Sequence, residues 1–310
     1  MSIAILGAGP AGMSCANALL SFGLEPLVIE CTAHVGGIQR TNFHLNLWML
    51  GIPGETGTQI TERLARHYFE LPVTTLMNTQ VLAVKKTATG FGLHLNGPEG
   101  ETEREVDALV LATGSRPQAT PELELLARQT GRVVIGPLSE RIRDEVRNHH
   151  VLILGGGDNA LDHALFLAER GNRVTVCARG KFSARKQFQD ACTAHPDIEL
   201  IGGQTPAVQA APDSGILASW PDRENRYDWL LVMYGYRPNS DVLTCFDADI
   251  RPAIAASGHI PVDRRQQTNI AGIYAAGDIT DTIQPSVPTA IAQGLTAAKA
   301  IEQDQATQST

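Results

Sequence analysis

Two glycine-rich turns hold the residues with the clearest chemical task. The first, Gly7-Ala8-Gly9-Pro10-Ala11-Gly12, follows the apolar run Ser2 to Leu6 and precedes a helical stretch and a second apolar run ending at Glu30. The second, Gly155-Gly156-Gly157-Asp158-Asn159-Ala160, follows Val151 to Leu154 and precedes a helical stretch and a run ending at Arg179. Strand, glycine turn, helix and strand, in that order, make the unit that binds the pyrophosphate of a dinucleotide. Gly7 and Gly155 supply the tight turn without a Cβ penalty. Gly9 and Gly157 let the backbone approach a phosphate, while the open N–H groups and dipole of the helix start face the anion. Gly12 permits close helix–strand packing, and Ala160 takes that place in the second copy.

The residue closing each second strand reads the adenosine ribose. The carboxylate of Glu30 accepts hydrogen bonds from ribose hydroxyls and repels a 2′-phosphate. Arg179 does the reverse. From Arg173 to Lys186 the chain carries Arg173, Arg179, Lys181, Arg185 and Lys186 with no acid among them. Guanidinium forks suit phosphate oxygens, although such a run also serves as an ordinary solvated loop. The first site reads as one for FAD or NAD, and the second leans towards NADP(H).

These motifs need elements to position them, and 310 residues allow two domains of ordinary size. With 43% hydrophobic and 19% charged residues, the composition is that of a soluble globular protein. There is no apolar run of membrane-spanning length, and Ser2 to Leu6 reads as a strand rather than a signal peptide, so a cytoplasmic address without membrane partners is expected. A net charge of −8 argues against nucleic acid as a partner. The five cysteines (Cys15, Cys31, Cys177, Cys192 and Cys245) are scattered without metal-like spacing, so no metal site is expected.

The run Asp107 to Pro117 (DALVLATGSRP) has a near echo at Asp228 to Pro238 (DWLLVMYGYRP). GIYAAGD at Gly272 to Asp278 then leads to a last helix from Pro288 to about Gln303, and the tail QDQATQST reads as frayed. The expected fold class is α/β: two Rossmann-like dinucleotide-binding domains, each three-layered, the second inserted into the first. The outer domain takes residues 1–115 and 248–310, and the inserted domain takes 116–247. Both connections are short and near-extended, which suits a hinge.

The chain resembles the low-molecular-weight thioredoxin reductase family over nearly its whole length. The likeness rests on GAGPAG at Gly7 to Gly12, Glu30, Gly36-Gly37, LATG at Leu111 to Gly114, GGGDNALDHA at Gly155 to Ala164, YGYRPN at Tyr234 to Asn239 and AAGD at Ala275 to Asp278. The resemblance implies FAD in the first unit, held by Gly7, Gly9, Pro10, Ala11, Gly12, Glu30, Gly37, Gln39, Thr113, Gly114, Gly277, Asp278 and Val287. Asp278 would meet the ribityl or pyrophosphate region. It implies NADPH in the inserted domain, on Gly155, Gly157, Asp158, Asn159, Ala160, Arg179, Lys181 and Arg185. The segment Gly36 to Gly54 would pass over the isoalloxazine, making Gln39, His44 and Trp48 candidates for ring contacts. Ser286 is a candidate N-cap of the last helix, and beside Val287 that helix would turn free N–H groups and its dipole to the reduced flavin's N1–C2=O edge. No side chain is expected to act as a catalytic acid or base, because the cofactors carry the chemistry.

Three departures change the expected chemistry. The family's redox-active C-x-x-C lies just upstream of the second glycine turn, yet no cysteine occurs between Cys31 and Cys177. The family's HRR plus a further arginine becomes Cys177-Ala178-Arg179 with Ser183, and Arg-Gln-Ala before the last helix becomes Pro285-Ser286-Val287. Ala11 stands where bacilliredoxin reductases carry a cysteine, and Cys15 reads as a buried apolar residue. The pattern is similar to the thioredoxin-reductase-like ferredoxin/flavodoxin–NADP reductases, which implies a homodimer passing electrons from flavin to ferredoxin, flavodoxin or a small-molecule acceptor. Those protein acceptors are acidic, as this chain is, so docking would lean on the basic loop. Two other readings stay open: an oxidase or disulfide reductase with an unusual acceptor, and a non-catalytic flavin-binding protein with a degenerate second site.

Overall fold

In the computed structural model, residues 1–46, 49–212 and 214–308 are described. Strand β1 (Ser2–Leu6), helix α1 (Pro10–Ser21) and strand β2 (Glu25–Ile29) form the first glycine-turn unit. Helix α2 (Gly57–Phe69) and strand β3 (Thr74–Leu76) follow, then a meander of β4 (Gln80–Lys86), β5 (Phe91–Gly97) and β6 (Gly100–Val106), then β7 (Ala108–Leu111) and β8 (Ser115–Pro117). Next come α3 (Pro121–Thr130), β9 (Val133–Ile135) and α4 (Glu140–Glu145). The second glycine-turn unit is β10 (His150–Leu154), α5 (Asp158–Ala168) and β11 (Arg173–Ala178). It continues into α6 (Lys186–Ala194), β12 (Ile198–Gly202), a second meander of β13 (Ala207–Ala210), β14 (Ile216–Ser219) and β15 (Glu224–Tyr227), then β16 (Trp229–Val232) and β17 (Tyr236–Pro238). Strand β18 (Ile273–Ala275) and helix α7 (Val287–Gln308) complete the chain.

Two compact units result. One comprises Met1–Arg40, His44–Arg116 and Pro238–Thr310; the other comprises Thr41–Phe43 and Pro117–Arg237. The return to the outer unit therefore falls at Arg237–Pro238, before the expected position near residue 247. The cause is apolar: Leu243, Phe246 and Ile250 bury against Val84 and Phe91 of the outer unit. Thr41–Phe43 is a further departure, since Thr41 Oγ1 donates to Leu138 O at 2.6 Å and Phe43 packs on His163 and Phe166.

Each unit is built on a five-stranded parallel sheet. The orders are β18-β7-β1-β2-β3 and β12-β11-β10-β16-β9. In both, the strand before the glycine turn is central, with the strand after the helix on one side and the strand after the meander on the other. The order reverses beside the glycine turn, where ligands of such sheets bind beyond the carboxyl ends of the strands. The fifth strand comes from opposite directions, from downstream chain (β18) in the outer unit and from upstream chain (β9) in the inserted one.

Alternation along each strand sorts its side chains between two faces. In the outer unit Ile3, Ile5, Val28, Ala108, Val110 and Tyr274 pack under α1 and α7. Their neighbours Ala4, Leu6, Ile29, Leu109, Leu111 and Ile273 pack against the β4–β6 meander. The inserted unit repeats this, with Val151, Ile153, Val174 and Leu231 under α5. Leu152, Leu154, Leu230 and Val232 face β14, β15 and α3 on its other side. Both strands and faces are apolar, as a sheet covered on both sides requires. The third layer of each unit is thus largely an antiparallel meander, an element the sequence motifs did not announce.

The tail is not frayed through Gln308. Helix α7 continues to that residue, and Asp304 accepts from the Arg265 guanidinium and from the hydroxyl of Tyr274. Among the described residues, no helix is long and apolar enough to cross a membrane. Replacing Asp304 by Ala strands the hydroxyl of Tyr274, whose residue is only 2% exposed, and should destabilise the protein by about 1–3 kcal/mol in urea unfolding. Tyr274→Phe in the same background should recover part of that loss, a coupling the double-mutant cycle would read directly.

Candidate functional site

The first glycine turn is shaped by absent side chains. Gly7 has φ +107°, and a Cβ there would lie 2.5 Å from Ala112 O. A Cβ on Gly12 would lie 2.0 Å from Gly7 O, so the helix rests on the turn backbone to backbone. Gly9 is the opposite case, with nothing within 4 Å of a Cβ position. Helix α1 starts just beyond it with no side-chain cap and with Pro10 in the first position. Met13 N–H is the first to turn back, to Gly9 O at 2.9 Å, which leaves the N–H groups of Ala11 and Gly12 facing the open space. A phosphate fits that cradle, and a side chain at Gly9 would fill it.

Other segments close around the same turn. Gly36 (φ +109°) donates its N–H to Ala8 O at 2.8 Å, and a Cβ on Gly37 would lie 3.4 Å from Gly9 Cα. Gly277 has φ +83°, and its Cβ position is 3.0 Å from Ala11 Cβ. Glu30, 8% exposed, holds the turn as well as closing its strand. Its Oε2 accepts Ala8 N–H at 2.9 Å, and its Oε1 accepts the N–H and hydroxyl of Thr32, both at 2.8 Å. Oε2 keeps acceptor capacity for a ribose hydroxyl.

Thr113 and Gly114 are tied down rather than open. Thr113 Oγ1 donates to Asn239 O at 2.9 Å, and Asn239 N–H donates to Gly114 O at 2.8 Å. The next residue, Ser115, donates its hydroxyl to Asp278 Oδ2 at 3.3 Å. Burial is the main cause that pushes the Asp278 carboxyl above its ordinary range, partly offset by that hydroxyl. The sequence reading named Asp278 but gave no role to Ser115, Thr32 or Asn239, although Ser115 follows LATG and Asn239 closes YGYRPN.

At the start of α7, Ser286 is the cap: its Oγ accepts Thr289 N–H at 3.3 Å and its carbonyl accepts Ala290 N–H at 3.0 Å. Pro288 has no N–H, and Val287 is buried. The expected set of free donors thus shrinks to the N–H of Val287 within the first three positions. Gln39 lies in the 3-10 turn Gly37–Thr41 and is half-buried, as is His44. Trp48 lies outside the described residues.

The second turn repeats the geometry with different furniture. A Cβ on Gly155 (φ +152°) would lie 2.4 Å from Met233 O, while the Cβ position of Gly157 meets only Ser183 Oγ at 3.9 Å. Helix α5 starts at Asp158 without a side-chain cap, and Ala160 is buried in the place of the third glycine. Asn159 turns its carbonyl inward, where His163 Nδ1 lies at 2.7 Å. The basic loop folds onto this turn: Ser183 and Ala184 donate their N–H groups to Gly156 O at 2.8 and 3.0 Å. Asp158 clasps Arg185, accepting its backbone N–H and its Nε, both at 2.7 Å. Arg185 is therefore a clasp for the loop, which leaves Arg179 and Lys181 exposed beside the turn. Burial raises the phenol of Tyr234, and the Arg179 charge opposes that rise.

All five cysteines are free thiols. Burial pushes Cys15 and Cys177 up to about 12 and Cys192 to about 11, so none of these is a thiolate near neutral pH.

The family model described as pyridine nucleotide-disulphide oxidoreductase matches residues 1–294. A thioredoxin reductase of Peptoclostridium acidaminophilum is 27% identical over 318 aligned positions, covering 97% of this chain and 95% of that relative. A ferredoxin–NADP reductase of Limosilactobacillus fermentum is 26% identical, covering 89% of this chain and 84% of the relative. Among solved structures, the thioredoxin reductase of T. acidophilum superposes with a TM-score of 0.79 at 21% identity, covering 98% of each chain, and so shares the fold.

Asp278 and Arg179 give separate tests. Because the folded-state pKa of Asp278 lies above its unfolded value, the native state keeps a proton that the unfolded chain has released. Stability of the flavin-free protein should therefore fall as pH rises from acid through that window, and Asp278→Asn should flatten the fall in pH-resolved melts. Arg179→Gln should raise KM for NADPH about tenfold or more and leave KM for NADH nearly unchanged, as the loss of a charge-assisted bond to a phosphate implies. Arg185→Ala should instead weaken both nucleotides, since it frees the loop.

Proposed function

Because the chain belongs to the pyridine nucleotide-disulphide oxidoreductase family and is an FAD-containing, NAD(P)H-dependent oxidoreductase, we propose that NADPH reduces its FAD and that electrons then pass directly to a small redox protein such as ferredoxin or flavodoxin. FAD supplies the capacity to accept a hydride and to release electrons one or two at a time. The residues do the holding. The cradle at Gly9 admits the FAD pyrophosphate, Glu30 takes the ribose, and Asp278 takes a hydroxyl of the ribityl side. In the inserted unit, the Asp158–Arg185 clasp sets the loop so that Arg179 and Lys181 meet the 2′-phosphate of NADPH.

One observation carries the choice of acceptor. No cysteine lies between Cys31 and Cys177, so the chain has no dithiol upstream of the second glycine turn to stand between flavin and partner. Buried, protonated Cys15, Cys177 and Cys192 do not replace it. The ferredoxin–NADP reductase among the relatives supports the same reading.

Anaerobic stopped-flow tests both halves. NADPH should bleach the flavin, and faster than NADH does; reoxidation should then be rapid with ferredoxin or flavodoxin and slow with disulfides. Absence of bleaching by either nucleotide would sink the reductase reading, and fast reoxidation by oxygen alone would reassign the enzyme as an oxidase.

A further inference from the structure

Helix α7 crosses α1 at Gly294, where a Cβ would lie 2.2 Å from Ala11 O and 3.0 Å from Cys15 N. That contact fixes the two helices at backbone distance and sets the preceding residue, Gln293, against the Gly277–Thr280 turn. The carboxamide is used at both ends. Gln293 Oε1 accepts Gly277 N–H at 2.7 Å, and Nε2 donates to Thr280 Oγ1 at 3.1 Å. Thr280 is fully buried, and its hydroxyl and N–H both donate to Gly277 O at 2.9 Å. The turn is thereby closed into a bonded ring, with Asp278 carried between its two anchored residues. An acceptor and a donor on one planar head satisfy both ends, which is what a glutamine offers.

We infer that Gln293 is a positioning residue for FAD: it clamps the Gly277–Thr280 turn against α1, so that the Asp278 carboxylate meets a hydroxyl of the cofactor and not its pyrophosphate. The inference rests on the reading that this turn holds FAD. The physical need is one of sign. A carboxylate beside a dinucleotide is attractive towards hydroxyls and repulsive towards phosphates, and a small drift converts one into the other. Every bond of the clamp joins protein groups, and a turn that the protein itself holds lowers the cost of ordering it on binding.

The test is the rate at which holoprotein releases FAD on dilution, read as recovery of free-flavin fluorescence, alongside thermal unfolding of each flavin-free variant. Gln293→Leu should release FAD about tenfold faster or more, as the loss of two hydrogen bonds implies, and lower the unfolding temperature of the flavin-free protein by a few degrees. Thr280→Val should accelerate release to a lesser degree, and Thr280→Ser should restore the wild-type rate. Release from Gln293→Leu within twofold of wild type overturns the clamp. If that variant does not fold, the Thr280 pair decides, and equal rates for Val and Ser overturn it. Asp278→Ala separates the two layers of the argument: faster release there with an unchanged Gln293→Leu defeats the clamp alone. An unchanged Asp278→Ala defeats the assignment of the turn to FAD, and the clamp with it.

Discussion

The outer unit depends on one close approach, the contact of Gly12 with the carbonyl of Gly7. A methyl group at position 12 would sit 2.0 Å from that oxygen, so the helix lies on the turn with no side chain between them. From that fixed point the other segments take their places. Gly37 reaches over Gly9, Gly277 rests on Ala11, and Gly294 brings α7 onto the carbonyl of Ala11. Pieces far apart in sequence thus meet on a single helical turn, and they meet by backbone. The cradle is made of N–H groups and empty space, which is why its chemistry is that of an anion holder and not of an acid or base.

The two glycine turns share a shape but differ in enclosure. Around the first, Gly36-Gly37, Glu30 with Thr32, and the Gly277 turn all close in, each bonded or packed to the next. Around the second, a single loop is folded back and fastened at Asp158, with its guanidinium at Arg179 left exposed. A cofactor that stays needs the first arrangement; a nucleotide that arrives, reacts and leaves needs the second. On the proposed reading, the same motif serves both tasks through what is packed around it.

Much of this was legible in the chain and some was not, for definite reasons. Glycine turns announce themselves because backbone geometry forbids alternatives at Gly7 and Gly155. The twin Arg-Pro endings at Arg116-Pro117 and Arg237-Pro238 mark the crossings between units, since the residue before a proline is held extended. The expected boundary ran past the second of these because it overlooked the apolar set Leu243, Phe246 and Ile250. The meanders escaped because β13, β14 and β15 span only four residues each, and β4 and β6 are largely polar. The clasp between Arg185 and Asp158 was not legible, because spacing shows a charge but not the partner it bonds. The reach of α7 was underestimated because a polar tail looks frayed until Arg265 and Tyr274 are seen to hold Asp304.

The origin of the fifth strands has a consequence for how the protein is made. In the inserted unit that strand, β9, precedes the glycine turn, so everything its sheet requires has been synthesised once the ribosome passes Arg237. The outer unit is the reverse. Its sheet lacks β18 and its helical layer lacks α7 until the closing stretch emerges, though β1 was made first. The inserted unit can thus complete its core during translation, while the outer unit waits with the apolar face that α7 will cover open to solvent.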